Sequence, residues 1–321
     1  MPSLKEIKSR IASVKSTRKI TSAMKMVASS KLHHAQVMIE NMLPYENMLE
    51  GILKTFLASE ADATTVYSVE RPVKRVALVV YASNSSLCGG FNGNVIKRMT
   101  ATIKACQELG EDIVIYPIGR KVAEKVQKLG FKPAGDFTAL ADKPDATWCA
   151  NIVDELCEKF QAGEIDRVEM IYHHFKSAGS QILQSKTLLP IDLTEGFDQD
   201  NDRDLSQKVV TAAMQEYIRK NAREEEEKPE ETVHPLNDNF LVEPDMDTVL
   251  RTLVPKLLHL MVYTALLDSN ASEHAARMVA MQTATDNADE LLRDLNLQYN
   301  KSRQQAITNE LLDIVGGSVN N

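Results

Sequence analysis

The amino-acid sequence predicts an α/β protein in which two very long helices, one at each end of the chain, flank a small central domain. Ten of the thirteen glycines lie between Gly89 and Gly196, and none lies before Gly51 or between Phe197 and Val315. Apolar residues recur at helical spacing in both end regions, and β-branched runs alternate with helical patterns in the middle. Because glycine marks turns and disfavours helix interiors, the ends are predicted to be continuous helices.

The N-terminal helix is predicted over residues 1–60. Its apolar residues follow a spacing of three and four with several changes of phase, which indicates an irregular coiled coil. Pro44 is expected to bend it. The pattern consists of Leu4, Ile7, Ile11, Val14, Ile20, Met24, Val27, Ala35, Met38, Met42, Tyr45, Leu49, Ile52 and Phe56.

A Rossmann-like α/β domain is predicted over residues 73–193. The order of strands and helices indicates a mostly parallel sheet covered by helices. The predicted strands are Val76–Tyr81, Ile113–Ile118, Val168–Tyr172 and Gln184–Ile191, and the predicted helices are Asn94–Leu109, Arg120–Leu129 and Ala146–Phe160.

Residues 195–239 are predicted to form an acidic insertion. Sixteen acidic and six basic residues lie between Glu195 and Asp247, a composition typical of a solvated, mobile segment. The first 34 residues are basic instead, with eight Lys or Arg and only Glu6 opposing them. Such a segment suits nucleic acid, anionic lipid or an acidic protein, and charge alone does not choose among them.

The C-terminal helix is predicted over residues 244–316, with Pro244 in its first turn and Gly316 and Gly317 at its end. At about 1.5 Å per residue it would span on the order of 105 Å, so another helix or a surrounding partner must cover its apolar stripe. The chain has no run of 18 apolar residues and no signal peptide, so we expect membrane association only through a partner.

The loop SNSSLCGGFNGNV, at Ser83 to Val95, lies where a nucleotide-binding fold would hold phosphate. A Walker A loop needs Lys and Ser or Thr after its last glycine, but Asn94 and Val95 follow Gly93. A dinucleotide site needs GxGxxG and an acid after the next strand, but the sequence has GGxxG and PIGRK. A nucleotide-binding enzyme that uses the Gly89–Gly93 loop is therefore the disfavoured alternative, and a tight turn with Asn92 or Asn94 near the helix start is preferred.

The sequence offers no catalytic set, cofactor site or metal site. The four cysteines have neither zinc nor disulfide spacing, and Cys88 is expected to be a small, partly buried side chain. The adjacent pairs His33–His34 and His173–His174 point in different directions on a helix or strand, which favours surface or capping roles. A basic coiled-coil nucleic-acid binder, the third alternative, is disfavoured by the net charge of -8 and the lack of aromatic residues in the basic helix.

Three motifs together resemble the gamma subunit of F-type ATP synthase. They are ASEHAARMVAMQTATDNADELL with YNKSRQQAITNELLDIVGGS in the last helix, IKSRIASVKSTRKITSAMKMVASSKL in the first, and SSLCGGFN in the central loop. The loop departs from the family where Asn84, Ser85 and Ser86 replace an acid, a base and a glycine. Ser318 stands where an alanine is usual, and the insertion is longer than in many bacterial members.

The resemblance implies a central-stalk rotor that is not itself catalytic. The terminal helices would form an antiparallel coiled coil, and the longer one would enter a hexamer of alpha and beta subunits. The central domain would contact epsilon and the ring of c subunits of Fo, whose ion-driven rotation is coupled to ATP synthesis or hydrolysis at the beta subunits. The expected location is the cytoplasmic side of a bacterial inner membrane, as a peripheral protein without nucleic acid or cofactor.

The resemblance also implies a set of partner-contact residues on the rotor. Arg303 and Gln304 match the place where a beta-subunit loop grips the shaft. Cys88 falls in a loop that faces the lever segment of beta. Positions that influence coupling are matched by Met24, Arg277, Thr308, Glu310 and Asp313. Small side chains at Ala271, Ala275 and Ala276 are expected to let surfaces pass closely.

Overall fold

The computed structural model describes residues 3–59, 66–191 and 246–318. The chain divides into two compact units, one from Met1–Ala28 and Arg277–Asn321 and the other from Ser29–Ala276. The predicted acidic insertion, 195–239, lies outside the described residues, as does Pro244.

Two long helices form the ends of the described chain. Helix α1 spans Leu4–Ser59 and is continuous through Pro44, and helix α6 spans Met246–Ser318 and contains Pro255. Ser3 caps α1, because its hydroxyl oxygen accepts a hydrogen bond from the amide of Glu6 at 3.2 Å. The predicted α/β fold with long terminal helices is confirmed.

In the first unit the two terminal helices pack antiparallel. The hydroxyl groups of Thr21 and Thr285 are 2.8 Å apart, and Arg18 Nε is 2.6 Å from Asp289 Oδ1. Moving three residues toward the N-terminus of α1, from Thr21 to Arg18, therefore corresponds to moving four residues toward the C-terminus of α6, from Thr285 to Asp289. Only an antiparallel pair of helices allows this. The apolar residues buried in this unit are Ile7, Ala28, Met278, Met281, Ala288 and Leu295.

The second unit contains a four-stranded sheet in the order β2-β1-β3-β4. Strand β1 pairs in parallel with β2 and β3, and β4 pairs antiparallel with β3. The strands are β1 Arg75–Tyr81, β2 Asp112–Ile118, β3 Arg167–Ser177 and β4 Ser180–Leu189. The helices are α2 Phe91–Glu108, α3 Arg120–Lys128, α4 Thr138–Asp142 and α5 Ala146–Gln161, with a 3-10 turn at Val66–Ser68.

Side chains of the sheet alternate between two apolar layers, as the pleat requires. On β3, Met170 and Tyr172 face the layer that contains α5 and α6, whereas Ile171 faces the layer that contains α2 and α3.

One 18-residue window of α6 is apolar enough to cross a membrane by composition, but 56% of that window is buried inside the protein. The window is thus explained by the packing of a core helix.

Strand β3 continues past the predicted end at Tyr172 through two histidines. The prediction that His173 and His174 lie at the surface or cap an element is wrong, because they are 3% and 1% exposed. The alternation of the strand explains the error. His173 points into the α2 layer and stacks on Phe91 with ring centroids 4.5 Å apart, and His174 points to the α6 layer.

Candidate functional site

The C-terminal end of α6 presents polar side chains to solvent. Arg303, Gln304, Thr308 and Glu310 are all exposed. The Thr308 hydroxyl donates to the backbone oxygen of Gln304 at 2.9 Å, so the two residues occupy one face, a turn apart. Four of the predicted contact residues therefore share one accessible stretch of helix.

Large apolar side chains are exposed on the same stretch. Leu297, Ile307, Leu311 and Leu312 are 69%, 44%, 57% and 64% exposed. The antiparallel register places the first turn of α1 beside the turn that contains Arg303, so the described part of α1 does not reach Ile307, Leu311 and Leu312, whereas Leu297 is exposed within the paired stretch. Exposed apolar surface on an uncovered helix end is typical of a binding surface. The sequence does not single out these four residues, because they fall outside the regular apolar stripe.

Two further predicted residues lie elsewhere in the first unit. Met24 and Arg277 are half-buried, so each has one side against the helix pair and one side accessible. Asp313 belongs to α6, and its side chain lies outside the described residues. Whether any of these residues contacts a partner stays a prediction.

Cys88 belongs to the second unit and is buried, with 2% exposure. The Asn92 amide nitrogen lies 3.1 Å from its sulfur. Its neighbour Leu87 is 59% exposed and has a φ of 67°, which is uncommon for a residue other than glycine. Any partner contact at this loop would be made by the exposed residues around Cys88 more than by its thiol.

The loop after β1 is filled by its own side chains. The amide oxygen of Asn92 accepts from the backbone amide of Ser83 at 3.0 Å, and its nitrogen donates to the Ser83 hydroxyl at 2.7 Å and to the Ser85 backbone oxygen at 3.2 Å. Helix α2 begins at Phe91, so Asn92 lies near the helix start as predicted and reaches back across the loop. One backbone N–H group of the loop is thus already hydrogen-bonded to a side chain and not open to a phosphate.

The buried titratable groups are poorly suited to nucleophilic or acid–base chemistry. Burial raises the pKa of Cys106 to about 11 and the pKa values of Cys149 and Cys157 to about 12, so these thiols stay protonated at neutral pH. Burial lowers the pKa of His173 to about 4. Among the described residues no group of three or more His, Cys, Asp and Glu is placed to hold a metal ion.

A buried ionisable pair joins the sheet to α6. His174 Nδ1 is 2.8 Å from Asp268 Oδ2, and both side chains are 1% exposed. The partners lie 94 residues apart along the chain, so no local motif could have predicted the contact. The small residues Ala271 and Ala275 are also fully buried in this unit, which corrects the expectation that they form a sliding surface.

Comparison with known proteins gives matches over nearly the whole chain. A family model described as ATP synthase matches residues 3–319. The ATP synthase gamma chain of Phocaeicola vulgatus is 52% identical over 320 residues, which cover 99% of this chain and 100% of that relative. The ATP synthase gamma chain of Flavobacterium johnsoniae is 39% identical over 319 residues, with 99% and 98% covered.

Solved structures share the fold at lower identity. A chain of the Euglena gracilis mitochondrial ATP synthase matches with a TM-score of 0.56 at 17% identity, covering 98% of this chain and 93% of that chain. A chain of the Tetrahymena thermophila mitochondrial ATP synthase, from a structure of the central stalk and c-ring, matches with a TM-score of 0.53 at 22% identity, covering 83% and 99%. Since the family model and the close relatives span nearly every residue, this chain belongs to the family of ATP synthase gamma chains.

Proposed function

We propose that this chain is the central-stalk rotor of an ATP synthase and couples ion-driven rotation of the c-ring to ATP synthesis or hydrolysis at the beta subunits. Membership of the gamma chain family supports this role. The structural observation that carries it is the end of α6, which extends past α1 and exposes leucines and polar residues together. Exposed apolar side chains on an uncovered helix end favour association with a partner that removes them from water.

The proposed partners follow from this role. Alpha and beta subunits would surround the end of α6, and epsilon and the c-ring would contact the central domain. The chain would make no bonds of ATP itself and would need no cofactor. It would be a peripheral protein on the cytoplasmic side of a bacterial inner membrane, held there through Fo.

Arg303 and Gln304 are proposed to carry the contact with the beta subunit. Their side chains can make and remake charge-assisted and amide hydrogen bonds, each worth about 1–3 kcal/mol. Replacing both with alanine should lower ATP synthesis in membrane vesicles about two- to tenfold. The measurement is the synthesis rate per assembled complex under an imposed ion gradient.

The matched control replaces Arg293 and Gln298, which are the same residue types and also exposed on α6. The control variant should synthesise ATP at the unaltered rate. Equal rates for both variants would show that Arg303 and Gln304 have no special part. Failure of the unaltered chain to co-purify with alpha and beta would overturn the rotor function itself.

A further inference from the structure

The central part of α6 is buried on nearly all sides, although many of its residues are polar. Among the described residues, the buried polar side chains concentrate where this helix meets the sheet. Burying polar groups costs free energy unless they are hydrogen-bonded, so their presence needs a reason other than apolar packing. Those on the helix are Thr264, Asp268, Ser269, Ser272, Glu273 and His274, and those on β3 are His173 and His174.

Three hydrogen-bonded contacts, which we call the polar clamp, tie α6 to two parallel strands. The Tyr81 hydroxyl of β1 donates to the Val262 backbone oxygen at 3.1 Å. His174 of β3 contacts Asp268 at 2.8 Å, and the Ser272 hydroxyl donates to the backbone oxygen of His173 at 3.3 Å. The clamp therefore holds about 15 Å of helix, nearly three turns, at successive points.

Apolar contacts alone do not define where a helix sits along a sheet. The surrounding layer, formed by Leu257, Leu258, Leu266 and similar side chains, is non-directional, and a helix can move past such a surface by a turn at a time. Hydrogen bonds have narrow limits of distance and angle, so a shift of one turn would break all three contacts. The clamp thus fixes both the axial position and the rotation of α6 on the sheet.

The buried pair contributes to the position of α6 on the sheet more than to the net free energy of folding. Replacing both partners of a buried polar contact with apolar residues of similar volume is often neutral or stabilising, because polar groups lose their hydration on folding. His174 and Asp268, with 1% exposure each, have lost nearly all contact with water. A role in specifying one register accounts for the pair where a role in stability does not.

We propose that the polar clamp transmits torque between the central domain and the C-terminal helix. The inference rests on the proposed rotor function. When a ring turns the central domain, the load must pass from the sheet into α6, which continues along the chain to Arg277 and beyond. His174 and Asp268 act as positioning residues that keep the helix from slipping under that load.

Replacing His174 and Asp268 with apolar residues separates an effect on the position of α6 from an effect on the stability of the fold. The double variant His174→Leu with Asp268→Leu keeps the layer filled but removes the directional contact. In inverted membrane vesicles the assembled variant should hydrolyse ATP at a rate within about twofold of the unaltered complex, while ATP-driven ion uptake per ATP hydrolysed falls about threefold or more. The single variant Asp268→Asn retains one acceptor oxygen and should give an intermediate ratio.

The matched control is Asp154→Asn, which alters a second His–Asp contact between α6 and the domain. Asp154 lies 2.7 Å from His259, but its side chain is 57% exposed and water can replace the contact. The control should leave ion uptake per ATP unchanged. A double variant that loses hydrolysis, assembly and uptake in parallel would show a purely structural role, and an unchanged ratio would likewise overturn the clamp. Absence of ion uptake in the unaltered complex would instead count against the rotor function.

Discussion

At the scale of single residues, Asp166 shows how one carboxylate holds the start of a strand. Its Oδ2 accepts from the backbone amides of Lys74 at 2.8 Å and Arg75 at 3.0 Å, where β1 begins. Arg71 Nε lies 3.5 Å from Oδ1. Burial acts to raise the pKa of Asp166, but the two amide donors and the charges of Arg71 and Lys74 outweigh it, so the pKa is lowered overall.

Replacing Asp166 with asparagine should destabilise the central domain by about 1–3 kcal/mol at pH 7, because a charged acceptor of two backbone amides is lost. Because the pKa of Asp166 is lower in the folded chain than in the unfolded chain, its carboxylate stabilises the fold fully above the unfolded pKa of about 4. This stabilisation is lost as the pH falls through the folded pKa. The difference between the variant and the unaltered chain should therefore be largest at neutral pH and shrink in acid. Urea unfolding at several pH values measures it, and a difference independent of pH would contradict this account.

At the scale of elements, the start of α3 depends on close approach of two backbones. Gly119 joins β2 to α3 with a φ of 104°, and a Cβ there would lie 2.1 Å from the backbone oxygen of Ala82. The same region is held by the amide of Lys121, which donates to the backbone oxygen of Ser83 at 3.2 Å. Only glycine satisfies both the conformation and the space.

Gly119→Ala should lower the free energy of unfolding by about 2–4 kcal/mol, from backbone strain and the clash with Ala82. The matched control is Gly93→Ala inside α2, where an added Cβ meets nothing within 4 Å. The control should be neutral or stabilising by about 0.5–1 kcal/mol, since alanine favours the helix. Denaturant unfolding of the purified variants gives both values, and equal effects at the two positions would refute the argument.

The helices and strands also show how much of the secondary structure the sequence pattern predicts. Periodicity and turn residues predicted both long helices, three of the four strands to within a few residues at their starts, and helices α2, α3 and α5. The five-residue helix α4 is too short to show a period. The extension of β3 was missed because His173 and His174 are polar, and only tertiary partners such as Phe91 and Asp268 make their burial favourable.

The candidate site was predicted in a different way. Arg303, Gln304, Thr308 and Glu310 came from resemblance to a family, and their exposure agrees with a contact role without testing it. Leu311 lies beyond the residues of α6 that face the described part of α1, and such a consequence of helix register cannot be derived from α6 alone. The contact between His174 and Asp268 depends likewise on how the sheet meets the helix.

At the scale of the whole molecule, the described residues provide structure and surfaces more than reactive chemistry. Burial keeps the thiols of Cys149 and Cys157 protonated and keeps His173 neutral at physiological pH. Several leucines of α6, by contrast, are exposed to solvent. The proposed rotor function accordingly assigns the reactive groups to other subunits.

The glycine loop after β1 allows a direct test of whether this chain binds a nucleotide by itself. Asn92 makes hydrogen bonds across the loop, and the Arg120 guanidinium, whose charge could attract a phosphate, already donates to the Asn84 backbone oxygen at 2.6 Å and 3.1 Å. A nucleotide would have to displace both sets of hydrogen bonds before gaining any of its own. The purified chain should therefore bind ATP or NADP no more tightly than about 1 mM.

Isothermal titration calorimetry of the isolated full-length chain with each nucleotide makes this measurement. The matched positive control is the chain reconstituted with alpha and beta subunits, which should bind and hydrolyse ATP under the same conditions. Micromolar binding by the isolated chain, weakened by Arg120→Ala, would restore the loop as a nucleotide site. A flat titration beside an active complex would place the nucleotide in the neighbouring subunits, because the only component added between the two experiments is those subunits.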